Sequence, residues 1–201
     1  MQAYLKYFGI TLLVILIDQA TKLAVHHYMM PGPLGEIPLL GNWFKLHYTL
    51  NPGMAFGIEI GSMYGKLSLT VFRSIATLGI AYLLTRMIRK ELKVGLLIAV
   101  ALILGGAIGN VLDSLFYGVV LEGNAVYYEG DTPLFHPWLH GQVIDMIYLD
   151  LWEGYISHDI PLIGGMYLAF WPIFNIADSS IFIGVAIIAI WQRTFFPKES
   201  D

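Results

Sequence analysis

No cysteine occurs in the 201 residues, which removes disulfides, thiolate nucleophiles and thiolate metal sites whatever the redox compartment. Charge is also scarce: 13% of residues are Asp, Glu, Lys or Arg, against roughly 25% in a soluble globular domain, while 57% are hydrophobic. That imbalance points to a bilayer as the solvent. Lysine and arginine together number 11, in no run long enough for a nucleic-acid surface, and the formal net charge of −4 is mild, so no nucleic-acid partner is expected. Repeats, low-complexity tracts and interdomain linkers are lacking too, and the length suits a single integral membrane domain over 1–201.

What is present is a set of apolar runs at 7–25, 67–84, 94–112 and 174–191, each close to the roughly 20 residues that carry a helix across about 30 Å of hydrocarbon. The expected fold is an all-α membrane protein of four transmembrane helices. The first run is too long, too polar near its end and too poorly supplied with a cleavage motif for a removable signal peptide. Lys6, Arg86, Arg89, Lys90, Lys93, Arg193 and Lys198 flank one set of ends, whereas the loops 26–66 and 114–173 carry only Lys45 and Lys66 as cations. The positive-inside rule then puts both termini in the cytoplasm and both long loops outside. Those loops also hold all six histidines and most carboxylates, including Glu36, Glu59, Glu122, Glu129, Asp131, Asp150, Glu153 and Asp159.

In the first loop Phe44, Leu46, Tyr48 and Leu50 alternate with Lys45, His47, Thr49 and Asn51, the period of a half-buried strand, so a small extracytoplasmic sheet resting on the membrane is expected. The second loop carries Trp138, Trp152, Tyr155, Tyr167 and Trp171, a composition suited to the headgroup interface.

Polar groups in the runs need a physical reason, since a charge in a spanning segment costs at least about 2.5 to 3.5 kcal/mol. Asp18 and Lys22 share a helix face and can neutralise each other with or without a site nearby. Arg73 reads either as a carboxylate's partner or as a snorkelling cation. Gly105 and Gly109 form a small-residue step for close helix approach; a dinucleotide loop would need a preceding strand that is absent. Asn110 and Asp113, one turn apart, can bond across helices or hold a substrate backbone, with structural support the favoured role for Asp113. Asp178 lies about one turn inside the last run with no cation before Arg193, and Asp145 stands isolated in the strand-like Val143, Ile144, Asp145, Met146, Ile147. Two carboxylates converging in a partly dry site can share one proton, one acting as base toward water and the other as acid toward a carbonyl oxygen. Lone membrane carboxylates also serve as proton relays or ion sites, and spacing does not choose between these.

The ordered set Asp18-Gln19-Ala20-Thr21-Lys22, Asn51-Pro52-Gly53-Met54-Ala55-Phe56-Gly57, Gly105-Gly106-Ala107-Ile108-Gly109-Asn110-Val111-Leu112-Asp113, Val143-Ile144-Asp145 and Phe174-Asn175-Ile176-Ala177-Asp178-Ser179 resembles the lipoprotein signal peptidase family, signal peptidase II. The resemblance covers nearly the whole chain and implies a four-helix inner-membrane aspartic peptidase with cytoplasmic termini. By motif, it implies Asp145 and Asp178 as the catalytic pair, with Asp18, Lys22, Asn51, Gly53, Asn110, Asp113 and Asn175 supporting the site or binding substrate. The implied substrate is a diacylglyceryl-modified prolipoprotein, cut before its lipidated cysteine, with membrane lipids as the other partner and no metal or organic cofactor. A monomer is expected.

Two departures stand out. The family usually follows the aspartate of its third motif with arginine, whereas Asp113 is followed by Ser114, so any ion pair from that arginine must be absent or supplied elsewhere, with Arg73 a candidate. The stretches from Asp113 to Asp145 and from Asp145 to Asp178 are also longer than the family leads one to expect. The rival readings are a small ion- or proton-coupled transporter with a relay through Asp18, Asp113 and Asp178, and a non-catalytic assembly or scaffold protein. The intramembrane acids cluster toward the external ends, which does not suit a relay, and a scaffold gives no reason for Asp145 and Asp178.

Overall fold

A lipid-immersed backbone must satisfy its own N–H and C=O groups, so long apolar runs become helices. The structure, a computed structural model, describes residues 1–53, 64–130, 132–157, 159, 165, 167–170 and 172–197. Helix α1 is Gln2–Tyr28, followed by strands β1, Ile37–Leu40, and β2, Phe44–Asn51. Helices α2, Gly65–Arg89, and α3, Val94–Leu112, come next; α3 widens into a π-helical turn, Asp113–Tyr117, and ends in the short α4, Gly118–Val120. After a connecting loop come strands β3 (Val143–Leu149), β4 (Trp152–Tyr155), β5 (Tyr167–Phe170) and β6 (Ile173–Phe174). Helix α5, Ile176–Ile190, and the short α6, Gln192–Phe195, close the chain.

Among the described residues three helices are long and apolar enough to cross a membrane: Gln2–Tyr28, Gly65–Arg89 and Val94–Val120. The fourth expected span is a shorter apolar helix, since α5 has 15 residues, or about 22 Å of rise, before the backbone breaks at Trp191. Trp191, with φ of −101° and ψ of 19°, separates α5 from α6. Met54, Ala55, Phe56 and Gly57 of the second motif, with Glu59, Asp131 and Trp171, lie outside the described residues.

Helix α3 is the axis of the bundle and packs against α1, α2 and α5. Its glycines make the approach possible. A Cβ on Gly105 would stand 2.7 Å from Val14 of α1, and one on Gly106 would stand 2.2 Å from the carbonyl oxygen of Ala177 on α5. Interhelical hydrogen bonds add to the close packing: Thr11 donates to the Ala101 carbonyl at 3.0 Å and Ser180 to that of Leu102 at 2.8 Å. At the end bearing the α2–α3 turn, Tyr7, Leu84, Ile88, Leu97, Val100 and Leu104 form an apolar core.

At the other end, β1, β2, β3 and β6 form an antiparallel sheet in that order, and β4 and β5 form a separate pair. The alternation read over 44–51 becomes β2, with Tyr48 its one buried residue. Tyr48 packs with Val25, Tyr117, Ile144 and Met146, which seats the sheet on the ends of α1 and α3. Its hydroxyl also meets Nδ1 of His26 at 2.8 Å.

Gly106→Val should force α5 away from α3, because backbone rather than a flexible side chain occupies the space. Overpacking of this kind costs about 1–3 kcal/mol. Thermal unfolding in detergent should show a lower midpoint for Gly106→Val than for Gly9→Val, whose added Cβ meets nothing within 4 Å.

Candidate active site

The site begins with a lysine that cannot stay charged alone. Lys22 is fully buried on α1, and one turn earlier Asp18 places Oδ2 2.8 Å from its ammonium. Asp113, at the end of α3, approaches with Oδ2 at 2.7 Å, and Asn110 accepts from the same Nζ through Oδ1 at 2.9 Å. The helical pair expected from spacing is therefore a three-membered charge cluster, with Asp113 joining it from the end of α3. Gln19 closes the cluster by donating Nε2 to Asp113 at 2.9 Å and Asp18 at 3.1 Å, while its own Oε1 accepts from the Tyr117 hydroxyl at 2.9 Å. Gly109 is required beside it, since a Cβ there would lie 2.6 Å from Asp18 Oδ2.

Two asparagines carry this order to the carboxylates. Strand β6 pairs with β3 through Ile147↔Phe174 and Tyr148↔Ile173, which delivers the next residue, Asn175, to the side of β3 and to the start of α5. Asn175 caps that helix: its Oδ1 accepts from the Asp178 backbone N–H at 2.9 Å, and Asp178 Oδ2 accepts in return from the Asn175 N–H at 3.4 Å. Its Nδ2 donates to Asp145 Oδ1 at 2.7 Å and to Asn110 Oδ1 at 3.2 Å. Asn110 Nδ2 donates onward to Asp178 Oδ1 at 2.8 Å. Asp145 and Asp178 are thus joined through Asn175 and Asn110, and Asn110 is in turn held by Lys22. Asp18 contributes at the same helix start by accepting from the Ala177 N–H at 2.9 Å.

On the other flank, β2 pairs Thr49 with Asp145. Asn51, two residues on, shares that face of the sheet and donates Nδ2 to Asp145 Oδ2 at 3.1 Å. Its Oδ1 accepts from Gly53 N at 2.8 Å. Gly53 has φ of 108°, a backbone conformation that calls for glycine, and it lies against the end of the Leu69 side chain. Arg73 of α2 lies beside Gly53 and feels the charges of Asp178 and Asp145, but among the described residues it forms no ion pair with either.

Asp145 is 3% exposed, and burial pushes its carboxyl up to about 7. The like charge of Asp178 adds to the shift, while hydrogen bonds from Asn51 and Asn175 and the charge of Lys22 oppose it. At neutral pH this places a carboxyl near half-protonation next to a second one, the arrangement that acid–base chemistry on a carbonyl needs.

All nine residues singled out from sequence meet in this one network. Three others belong to it or its margin: Gln19, Tyr117 and Lys66, whose Nζ donates to Ser114 Oγ at 3.2 Å. Lys66, not Arg73, is the cation that reaches Ser114. A lysine at the head of an apolar run reads as a snorkelling residue; the missing arginine after Asp113 was the only signal that another cation was wanted there.

Residues 10–194 match the signal peptidase (SPase) II family. A lipoprotein signal peptidase of Amoebophilus asiaticus strain 5a2 is 49% identical over 189 residues, covering 94% of this chain and 78% of that protein. One of Porphyromonas gingivalis strain ATCC 33277 is 39% identical over 192 residues, covering 92% of this chain and 82% of that protein. A bacterial membrane enzyme solved by the in meso method superposes with a TM-score of 0.59 at 26% identity, covering 98% of this chain and 93% of that one. With the match running from the first helix to the last and containing every residue of the network, this chain belongs to the signal peptidase II family.

Proposed function

We propose that the protein is a membrane aspartic endopeptidase that removes the signal peptide from diacylglyceryl-modified prolipoproteins, cutting before the lipidated cysteine. The observation that carries this is the pair Asp145 and Asp178, far apart in sequence, linked through Asn175 and Asn110 with one carboxyl retaining its proton to about pH 7. In the reaction, Asp178 takes a proton from water as the oxygen attacks the scissile carbonyl carbon, and Asp145 gives its proton to the carbonyl oxygen. Collapse of the tetrahedral intermediate passes the first proton to the leaving amine. Asn51 and Asn175 hold Asp145, Asn110 and the start of α5 hold Asp178, and the Lys22 cluster fixes both supports. This chemistry calls for no metal or organic cofactor.

The membrane setting fits the substrate. A signal peptide is itself an apolar helix, and diacyl chains leave lipid at a cost of about 0.8 kcal/mol per methylene, so the enzyme must meet its substrate in the bilayer. Helix α2 packs on α3 and scarcely touches α1, and in this reading the substrate enters sideways from the lipid between helices. In this reading α5 is the fourth span of a single membrane domain, both termini are cytoplasmic, and the sheet and carboxylates face the extracytoplasmic side of the bacterial inner membrane. A proton-coupled transporter would need acids through the depth of the bundle; the acids of the network gather at the sheet end instead.

Four outcomes are expected. Asp145→Asn and Asp178→Asn should each insert and fold yet lower cleavage of a lipidated prolipoprotein in liposomes by at least about a hundredfold; normal cleavage by either ends the assignment. The wild-type kcat/KM should fall as pH rises past about 7, where Asp145 loses the proton it donates. Folding stability should likewise fall between pH 3.8 and about 7, because over that window the native state keeps a proton that the unfolded chain has released, and Asp145→Asn should flatten this slope in unfolding titrations. Finally, an unlipidated precursor should be cut much more slowly than the lipidated one, and equal rates would remove the acyl chains from substrate placement.

A further inference from the structure

Lys66 stands at the head of α2 and is 6% exposed. Its partner is neutral: the ammonium donates to Ser114 Oγ at 3.2 Å, and among the described residues no carboxylate lies within ion-pairing distance. A buried ammonium held this way is costly and calls for a compensating role. The neighbouring cluster supplies one: Asp18 and Asp113 present two carboxyls to the single amine of Lys22, and Lys66 approaches the same turn from α2, bound to the residue that follows Asp113.

Its point of attachment is equally informative. Ser114 is fully buried in the π-helical turn, and its Oγ donates to the Asn110 carbonyl at 3.2 Å. The Ser114 carbonyl accepts from Gly141 N at 3.1 Å, two residues before β3 begins. This contact is tight, since a Cβ on Gly141 would lie 2.2 Å from the Asp113 carbonyl oxygen. One turn beyond Lys66, Thr70 donates to the Leu139 carbonyl at 2.9 Å, so α2 grips the same approach to β3. From Ser114, one route runs through Asn110 to Asp178 and the other through Gly141 to the strand that bears Asp145.

We propose that Lys66 is a positioning residue for peptide cleavage: through Ser114 it sets the turn at the end of α3, and with it the placement of Asp145 relative to Asp178. It supplies from α2 the cation that the family motif carries on α3 directly after the aspartate. The inference rests on the carboxylate-pair reading above.

The test measures kcat, KM and the unfolding midpoint for the full-length protein in liposomes with a lipidated prolipoprotein. Lys66→Met should lower kcat by about tenfold or more, with KM within about twofold of wild type and the midpoint little changed, as for a misplaced reacting group. Lys66→Arg should keep most of the activity. The decisive variant combines Lys66→Ala with Ser114→Arg, returning the cation to α3: its kcat should recover well above that of Lys66→Ala alone. Wild-type kcat in Lys66→Met, a change confined to KM, or failure of the double variant to exceed Lys66→Ala overturns the proposal. Should Lys66→Met not fold, Lys66→Arg and the double variant decide: activity in both upholds the proposal and inactivity in either overturns it. Asp145→Asn and Asp178→Asn separate the two readings. If either cleaves, the carboxylate pair falls; if both are inactive while Lys66→Met is as fast as wild type, only the role of Lys66 falls.

Discussion

The structure depends on keeping Lys22 charged in a place without water. A lysine ammonium inside the bundle is tolerable only with opposite charge and hydrogen-bond acceptors around it, and Asp18, Asp113 and Asn110 supply them from two helices. Removing the lysine would leave two buried carboxylates facing each other, a loss of about 3–5 kcal/mol by the usual cost of breaking a buried pair. The cluster therefore clamps α1 to α3 and sets their axial register. Because Asn110 belongs to it, the orientation of the group that holds Asp178 is decided by the same lysine.

The sheet contributes placement in the same sense. Strand β6 has two residues and little stability of its own, yet its pairing with β3 brings Asn175 to the spot where one amide can cap α5, hold Asp145 and meet Asn110. Asp178 is correspondingly both a capping residue and a member of the carboxylate pair. Each carboxyl of the pair is held by a neighbour that is itself hydrogen-bonded, the support that precise placement of a site requires. Small residues on α3 let the parts come close enough: Gly106 against Ala177 and Gly109 against Asp18 leave no room for any side chain.

Much of this was legible beforehand, for identifiable reasons. Apolar length revealed the helices because lipid imposes one solution on the backbone, and period-two alternation revealed β2 because one face of the strand is covered. Asp18 and Lys22 could be paired on paper, as they lie one helical turn apart. The fourth apolar run was less faithful at its start: hydropathy includes Phe174, which pairs in β6, and Asn175, which caps α5, so the regular helix begins only at Ile176. Assigning Asp145 and Asp178 to one site came from the order of motifs rather than from any local periodicity.

The sequence by itself determined that this is a membrane protein, where its apolar helices fall, and which acids would be expensive among them, because these follow from residue chemistry and spacing alone. Tertiary structure alone decided that Asp113 joins Lys22, that Asn175 links the two candidate catalytic carboxylates, and that Lys66 rather than Arg73 reaches Ser114. Each of those contacts joins residues on different elements, and the distance between them is set by helix packing and strand register, which no local pattern encodes.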